Sequence, residues 1–282
     1  MLSSKIAISH EEFILLREYI QQECGIVVGD EKVYLIESRL ARLVVETGAR
    51  SFKEFYLKAK GDVSKKLRNK IIDAMTTNET LWFRDSKPWT VLKDVVIPKF
   101  IQDLKSKKKE RIFIWSAASS TGQEPYSFAI LLLEALKKEP TISVNRFKIL
   151  ATDISPSALY MAMSGRYNSI AMARGMIPEY RKKYFKDDGR VSEIDPMVKK
   201  MVTFKKFNLQ HSFMKIPKCD MIFCRNVAIY FSPDFKKQLF QKINTKLDKD
   251  GYFFLGSTES LIGYSNSYEQ FEYMKGVYYK PK

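Results

Sequence analysis

Residues 11 to about 75 place apolar side chains at helical spacing, as in Phe13-Ile14, Tyr19-Ile20, Tyr34-Leu35, Leu40 and Leu43-Val44, with Gly25, Gly48 and Gly61 as punctuation. This pattern predicts a small helical bundle. Ser9 followed by Glu12 fits a capping box, which starts the first helix after Ser9. A second helix, near residues 31–46, carries Arg39 and Arg42 at i, i+3 on one face, beside Lys32. From Arg111 the rhythm changes to short apolar runs at 112–115, 147–151, 201–204, 221–223, 252–255 and 277–279. Helical stretches at 126–138, 156–164 and 233–247 lie between them, the alternation of a parallel α/β sheet. No segment repeats at a fixed period, which argues against a solenoid. Residues 165–201 are rich in Lys, Arg and Asp, fit no crossover helix, and read as an insertion with a β-hairpin turning at Asp188-Gly189. The expected architecture is an all-helical domain over 1–75 and an α/β domain over 76–282, with a small antiparallel β-subdomain inserted at about 176–206.

Composition narrows the class. With 45% hydrophobic and 28% charged residues the chain is an ordinary globular protein, not a collagen-like or disordered one. Cys24, Cys219 and Cys224 are odd in number and unevenly spaced, which excludes a disulfide framework and suggests a reducing compartment. His10 and His211 are too far apart to form a metal motif with them, so no metal site is expected. The first six residues lack the apolar core of a signal peptide, and no apolar run approaches the roughly 20 residues that span a bilayer. The expectation is therefore a cytoplasmic protein with no membrane insertion. Against 32 acidic residues stand 48 Lys and Arg, a net charge of +16 that favours an acidic partner. Charge alone leaves nucleic acid, anionic lipid and acidic protein open.

Candidate chemistry gathers at the carboxyl ends of the predicted strands, where open α/β sheets bind ligands. After the first run comes Ser116-Ala117-Ala118-Ser119-Ser120-Thr121-Gly122, whose small side chains let a ligand approach the backbone. It has neither the dinucleotide fingerprint nor a phosphate loop. The next strand ends in Asp153, suited to accept two hydrogen bonds from a ribose diol or, alternatively, to cap the following helix. Taken with the loop, the ribose role is favoured, and nucleoside binding without a phosphate grip points to S-adenosylmethionine. Asn208, after the third run, either meets adenine edges or forms a turn. The fourth strand delivers Arg225, Asn226 and Tyr230 to the same edge. The mixed polar and aromatic segment from Met75 to Arg84 is not linker-like, and reads as packed on the ligand with Arg84 reaching the reaction centre.

At these residues the sequence resembles the chemoreceptor glutamate O-methyltransferases. The resemblance rests on Thr76-Thr77-Asn78-Glu79-Thr80 with Phe83-Arg84, Trp115 to Gly122 with Glu124-Pro125-Tyr126-Ser127, Ala151-Thr152-Asp153-Ile154, Asn208-Leu209, Phe223-Cys224-Arg225-Asn226 with Tyr230-Phe231, and Gly256 to Ser260. It implies a Rossmann-like methyltransferase domain of seven strands with a β-subdomain inserted before the third. It also implies that Asn78, Thr80, Arg84, Glu124, Asp153, Asn208, Leu209, Arg225 and Asn226 bind S-adenosylmethionine, yielding S-adenosylhomocysteine, with Arg84 and Tyr230 near the transferring methyl. Arg39 and Arg42 lie on the helix that would meet the acidic methylation helix of a receptor. The inserted region is shorter and less glycine-rich than in members that dock a receptor's C-terminal pentapeptide, so tail tethering is not expected. Two rivals share a nucleoside-binding sheet: an RNA methyltransferase, against which Arg225-Asn226-Val227-Ala228 stands where exocyclic-amine enzymes carry Asn or Asp before Pro-Pro and an aromatic, and a noncatalytic cofactor-binding scaffold.

Overall fold

The computed structural model describes residues 6–282; residues 1–5, part of the stretch read above for a targeting signal, lie outside the described residues. Helix α1 (His10–Cys24) opens with the expected capping box, Ser9 Oγ accepting from the Glu12 N–H at 3.3 Å and Glu12 Oε2 accepting from the Ser9 N–H at 2.9 Å. A single 3-10 turn leads into α2 (Val33–Glu46), followed by α3 (Phe52–Gly61) and α4 (Lys66–Met75). Phe13, Leu16, Ile36, Leu40, Phe52 and Phe55, drawn from the first three of these helices, are fully buried and form the bundle's own core.

Residues 85–110 carried no sequence expectation, yet they hold a helix that packs on the sheet: α5 (Lys87–Val91) and α6 (Ile97–Lys105), joined by a π-helical stretch at Leu92–Val96. Trp89, Leu92, Val96, Phe100 and Leu104 recur every three or four residues and are all buried in the core of the second domain. The sheet and its flanking elements follow as β1 (Ile112–Ala117), α7 (Gln123–Leu136), β2 (Phe147–Asp153) and α8 (Pro156–Ser164). Then come β3 (Arg166–Asn168), α9 (Ser169–Ala173), α10 (Pro178–Tyr184), β4 (Phe185–Asp187), β5 (Val191–Ile194) and α11 (Pro196–Lys199). The chain closes with β6 (Val202–Lys206), β7 (Cys219–Cys224), α12 (Pro233–Lys246), β8 (Leu247–Phe254), β9 (Tyr268–Tyr273) and β10 (Gly276–Pro281).

Seven strands form the large sheet in the order β6-β2-β1-β7-β8-β10-β9, parallel from β6 to β8 and antiparallel at β10 and β9. All six residues of β7 are buried, as befits a central parallel strand covered on both faces. The order reverses at β1, so the loops after β1 and β7 diverge and leave a crevice at their carboxyl ends.

Two details differ from the sequence reading. The small antiparallel sheet β3-β5-β4 runs from Arg166 to Ile194, with its hairpin turning at Gly189 as expected, whereas Val202–Lys206 pairs in parallel with β2. The antiparallel sheet lies within the insertion expected at 165–201 but starts before the 176–206 bounds given to the subdomain, and those bounds also overlap Val202–Lys206, the third run of the main sheet. The closing hairpin also contains β9, an edge strand whose Glu269, Gln270 and Glu272 are exposed and mask its apolar positions. Among the described residues no helix is long and apolar enough to cross a membrane.

The insertion is fastened to α7 at Glu134, which accepts from Lys183 Nζ at 2.9 Å, from Lys137 Nζ at 2.7 Å and from the Tyr184 hydroxyl. Burial raises the carboxyl, but these donors outweigh it and bring its pKa from 4.5 down to about 2. A carboxylate lowered by folding stabilises fully above its unfolded value and loses that contribution as pH falls through the folded one. Glu134→Gln is expected to cost about 1 kcal/mol at neutral pH in urea unfolding. The gap between variant and parent should narrow below about pH 4.5; a gap that stays constant down to about pH 3 would remove Glu134 from the acid response.

Candidate functional site

The crevice holds a cavity of about 920 Å³, counting its open mouth. Its walls come from the loops after β1, β2, β6 and β7, from the segment between the domains, and from Cys24 and Ile26 at the end of α1. The helical domain thus roofs the site. Asp73 on α4 accepts from the hydroxyls of Ser155 and Ser157, each at 2.6 Å. Ile26 and Phe231 form an isolated antiparallel bridge, and the Val27 N–H donates to the Tyr230 carbonyl at 2.9 Å.

Asn78, Thr80, Arg84, Glu124, Asp153, Asn208, Leu209, Arg225, Asn226 and Tyr230 all line this one cavity. They come from positions as far apart as 78 and 230, and the topology brings them together. At its centre lies Arg225, with a side chain 1% exposed. Its guanidinium donates to Glu124 Oε2 at 3.0 Å, to Asp85 Oδ2 at 2.9 Å and to the Arg84 carbonyl at 2.9 Å. The other Glu124 oxygen accepts from Ser116 Oγ at 2.8 Å. Burial pushes the Glu124 carboxyl up, while the charge of Arg225 and the Ser116 hydrogen bond oppose that rise.

The loop after β1 is strained in the way a close backbone approach requires, with Ala118, Ser120 and Gly122 all at positive φ. A Cβ at Gly122 would lie 3.0 Å from the Ala162 Cβ and 3.2 Å from the Phe204 ring, so glycine is needed there on two counts. Asp153 does not cap α8, whose N-cap is Ser155 with its hydroxyl accepting from the Ala158 N–H at 3.0 Å; instead Asp153 Oδ1 accepts from the Ser155 N–H at 2.9 Å and fixes the turn before the helix. Its Oδ2 accepts from the Ser120 N–H at 2.8 Å, which fixes the strained loop. Each carboxylate oxygen keeps a lone pair, so these backbone contacts and the ribose role are compatible. Burial raises the Asp153 carboxyl, opposed by these backbone donors.

Asn208 is tied down by its side chain, donating to the Glu23 carbonyl at 2.9 Å and accepting from the Gln210 N–H at 2.9 Å. The turn reading therefore holds, and Asn208 also bridges the two domains. Arg39 and Arg42 lie outside the cavity lining. Arg39 donates to the Met75 carbonyl at 2.7 Å and to Thr77 Oγ1 at 3.2 Å, clamping α2 to the interdomain segment. Arg42 projects into solvent, with its Nε 2.7 Å from Glu46 Oε1.

Sequence reasoning missed Glu259. Its carboxylate accepts from the N–H groups of Asn226 (2.6 Å), Val227 (3.1 Å), Ala228 (2.8 Å) and Gly256 (2.8 Å), and so sets the turn after β7 where Asn226 adopts positive φ. Its spacing three residues beyond Gly256 was the available signal. Asp85 and Asp73 were missed as well, because nothing local distinguishes a partner 140 residues away in sequence.

The residues fit S-adenosylmethionine. Ser119 Oγ and Arg225 Nε are buried without a protein partner, and both residues line the cavity. Leu209 supplies an apolar wall, Asp153 an acceptor suited to a diol, and Glu124 an acceptor suited to an ammonium. Residues 11–76 match the CheR methyltransferase all-alpha domain and residues 78–277 the CheR methyltransferase SAM binding domain. Chemotaxis protein methyltransferase 1 of Vibrio cholerae is 43% identical over 98% of this chain and 99% of its own. Chemotaxis protein methyltransferase Cher2 of Pseudomonas putida is 39% identical over 96% and 98% of the two chains. The chemotaxis protein methyltransferase of Borreliella burgdorferi is 37% identical over 98% and 95%.

Arg225→Lys keeps the charge but cannot span Glu124, Asp85 and the Arg84 carbonyl together. S-adenosylhomocysteine affinity, measured by calorimetry, is expected to fall about 10- to 100-fold, the loss of one or two charge-assisted hydrogen bonds. Unchanged affinity would mean that this cluster does not shape the cavity.

Proposed function

The chain belongs to the CheR methyltransferase family and is an S-adenosylmethionine-dependent methyltransferase of chemotaxis; on that premise we propose that it converts glutamate side chains of chemoreceptor cytoplasmic helices to methyl esters. The observation that carries the reading is the convergence of all ten expected cofactor and catalytic residues on one cavity beside the helical domain. The RNA alternative gains no support from the relatives, whose names speak of chemotaxis proteins.

Asn78, Thr80, Arg84, Glu124, Asp153, Asn208, Leu209, Arg225 and Asn226 are the residues that would hold S-adenosylmethionine. When bound, it supplies an electrophilic methyl group on a sulfonium that departs as a neutral thioether. The acceptor needs no general base, since a glutamate with an ordinary pKa of about 4.3 is ionised at neutral pH. The chain's own work is orientation and exclusion of water, which together contribute up to about 7 to 11 kcal/mol. Arg84 is positioned to orient the incoming carboxylate: it lines the cavity, and its one hydrogen bond goes to the neutral Glu79 carbonyl at 3.3 Å. A looser grip serves better than a tight one, because stabilising the ground-state anion would slow its attack. Tyr230, half-buried at the cavity wall, offers its hydroxyl beside the methyl or the carboxylate.

Methyl-labelled S-adenosylmethionine incubated with a purified receptor cytoplasmic fragment should leave label that mild base releases. Base-stable label, or label on total RNA in place of receptor, would overturn the glutamyl ester. Tyr230→Phe should lower kcat about tenfold, the worth of one hydrogen bond, with cofactor affinity nearly unchanged. An isolated receptor C-terminal pentapeptide is expected not to bind in a fluorescence titration; measurable binding would restore the tether that the short insertion argues against.

A further inference from the structure

A second concavity lies on the sheet face that the crossover helices leave open. The face of β1 and β2 bearing Ile112, Ile114 and Ile149 shares one core with α7, whereas Trp115 and Leu150 belong to the opposite face and pack with α12. That helix covers β7 and β8. The connection from β6 to β7, residues 207–218, contains no helix. The opposite face of β1, β2 and β6 is therefore left as a groove of about 1820 Å³, counting its mouth. Phe207 is the only residue it shares with the cofactor cavity.

The groove's chemistry is one-sided. Arg111, Lys148, Lys200, Lys205, Lys206 and Lys215 line it, all six are exposed, and no Asp or Glu is among the lining residues. Lys206 donates to Asn69 Oδ1 at 2.6 Å, a neutral partner, and none of the six meets a carboxylate within ion-pair distance. Between the cations lies an apolar floor that includes half-buried Phe113, Leu150 and Phe207. Six unpaired cations in one concavity repel one another, a cost that an anionic occupant would relieve.

We propose that this groove docks an acidic segment of the protein being methylated, apart from the glutamate under attack. The inference rests on the reading that the substrate is an acidic receptor. A polypeptide satisfies both features of the groove, carboxylates for the rim and apolar side chains for the floor. A flat bilayer cannot enter a concavity. Phe207 already packs against the rings of Trp115 and Phe213, which leaves Phe113 as the half-buried ring of the floor and no array of rings on which successive bases would stack. Continuity with the cofactor cavity at Phe207 lets one partner span both.

The test is steady-state methylation of a receptor cytoplasmic fragment by the wild type and by the triple variant Lys148→Glu, Lys200→Glu, Lys205→Glu. All three side chains are exposed and outside the cofactor cavity, so S-adenosylhomocysteine affinity serves as the folding control. At low salt the variant's KM for the fragment is expected to rise about tenfold with kcat unchanged, the scale of several exposed charge pairs lost together. Its salt dependence should flatten, because the screened attraction has been removed. The neutral variant Lys148→Gln, Lys200→Gln, Lys205→Gln should move KM in the same direction by less. Equal KM values, with the wild type methylating the fragment normally, would overturn the docking surface and leave the proposed function standing. Binding of labelled total RNA at physiological salt, lost in the charge-reversed variant, would overturn it in favour of nucleic acid. No base-labile transfer by the wild type would bring down the function, and this surface's partner with it.

Discussion

A guanidinium taken out of water must be met on nearly every side, and Arg225 imposes that demand on the whole site. Removing such a charge from solvent costs several kcal/mol unless paired groups replace its hydration. Here the replacements are Glu124 at the start of α7, Asp85 in the interdomain segment and the Arg84 carbonyl beside it. Two segments far apart in the chain, the start of α7 and the stretch at Arg84-Asp85, are thereby fixed relative to the end of β7. Because Phe83 and Asp85 both hold positive φ, the turn that carries Arg84 is costly by itself. Arg225 and the Trp89 indole, which donates to the same Arg84 carbonyl at 2.8 Å, hold it in place. The arrangement trades backbone strain for a defined position of one side chain at the cavity wall.

The same logic repeats on the other loops. Glu259 gathers four N–H groups so that Asn226 can sit in the left-handed region, and Asp153 ties the strained loop after β1 through Ser120. These carboxylates act on the backbone as anchors, and burial makes their hydrogen bonds expensive to lose. The helical domain then closes the cavity with contacts of its own, Asp73 on Ser155 and Ser157 at the start of α8 and the Glu23 carbonyl on Asn208. Substrate recognition was the only role expected of that domain; by geometry it is also part of the cavity wall.

What could be read in advance followed from periodicity and local chemistry. The capping box at Ser9 and Glu12, the apolar run 221–223 of β7 and the small-residue loop after β1 each declare themselves within a few residues. The run at 201–204 also declares itself as a strand, since Val202 and Phe204 alternate; only the bounds of 176–206 given to the inserted subdomain overlap it. β9 escaped because an edge strand need be apolar at few positions. Helix 87–105 was legible in the spacing of Trp89, Leu92, Val96 and Phe100, but a π-helical stretch shifts its phase midway. Asp85, Asp73 and Glu259 were not legible as partners, because their roles exist only once the topology has brought distant segments together. Arg39 shows the converse: helical spacing put it on a face with Arg42, but its reach to the Met75 carbonyl turns it inward.

The electrostatics of the cavity follow from this distribution of partners. Four acids stand at or beside its wall, and an acidic substrate would be repelled if their charges were free; Glu79 is paired with Arg174. Glu124 and Asp85 are compensated by Arg225, and Asp153 by two backbone N–H groups. Arg84 differs from these in that its hydrogen bond goes to a neutral carbonyl, although its charge also acts on Glu124. An approaching carboxylate therefore meets Arg84 as a cation at the wall that has no carboxylate within ion-pair distance among the described residues. At longer range the chain's net charge of +16 attracts any acidic partner without regard to which carboxylate arrives. Selection among glutamates must therefore come from the surfaces that seat the partner, since the pocket itself accepts any ionised carboxylate that reaches it.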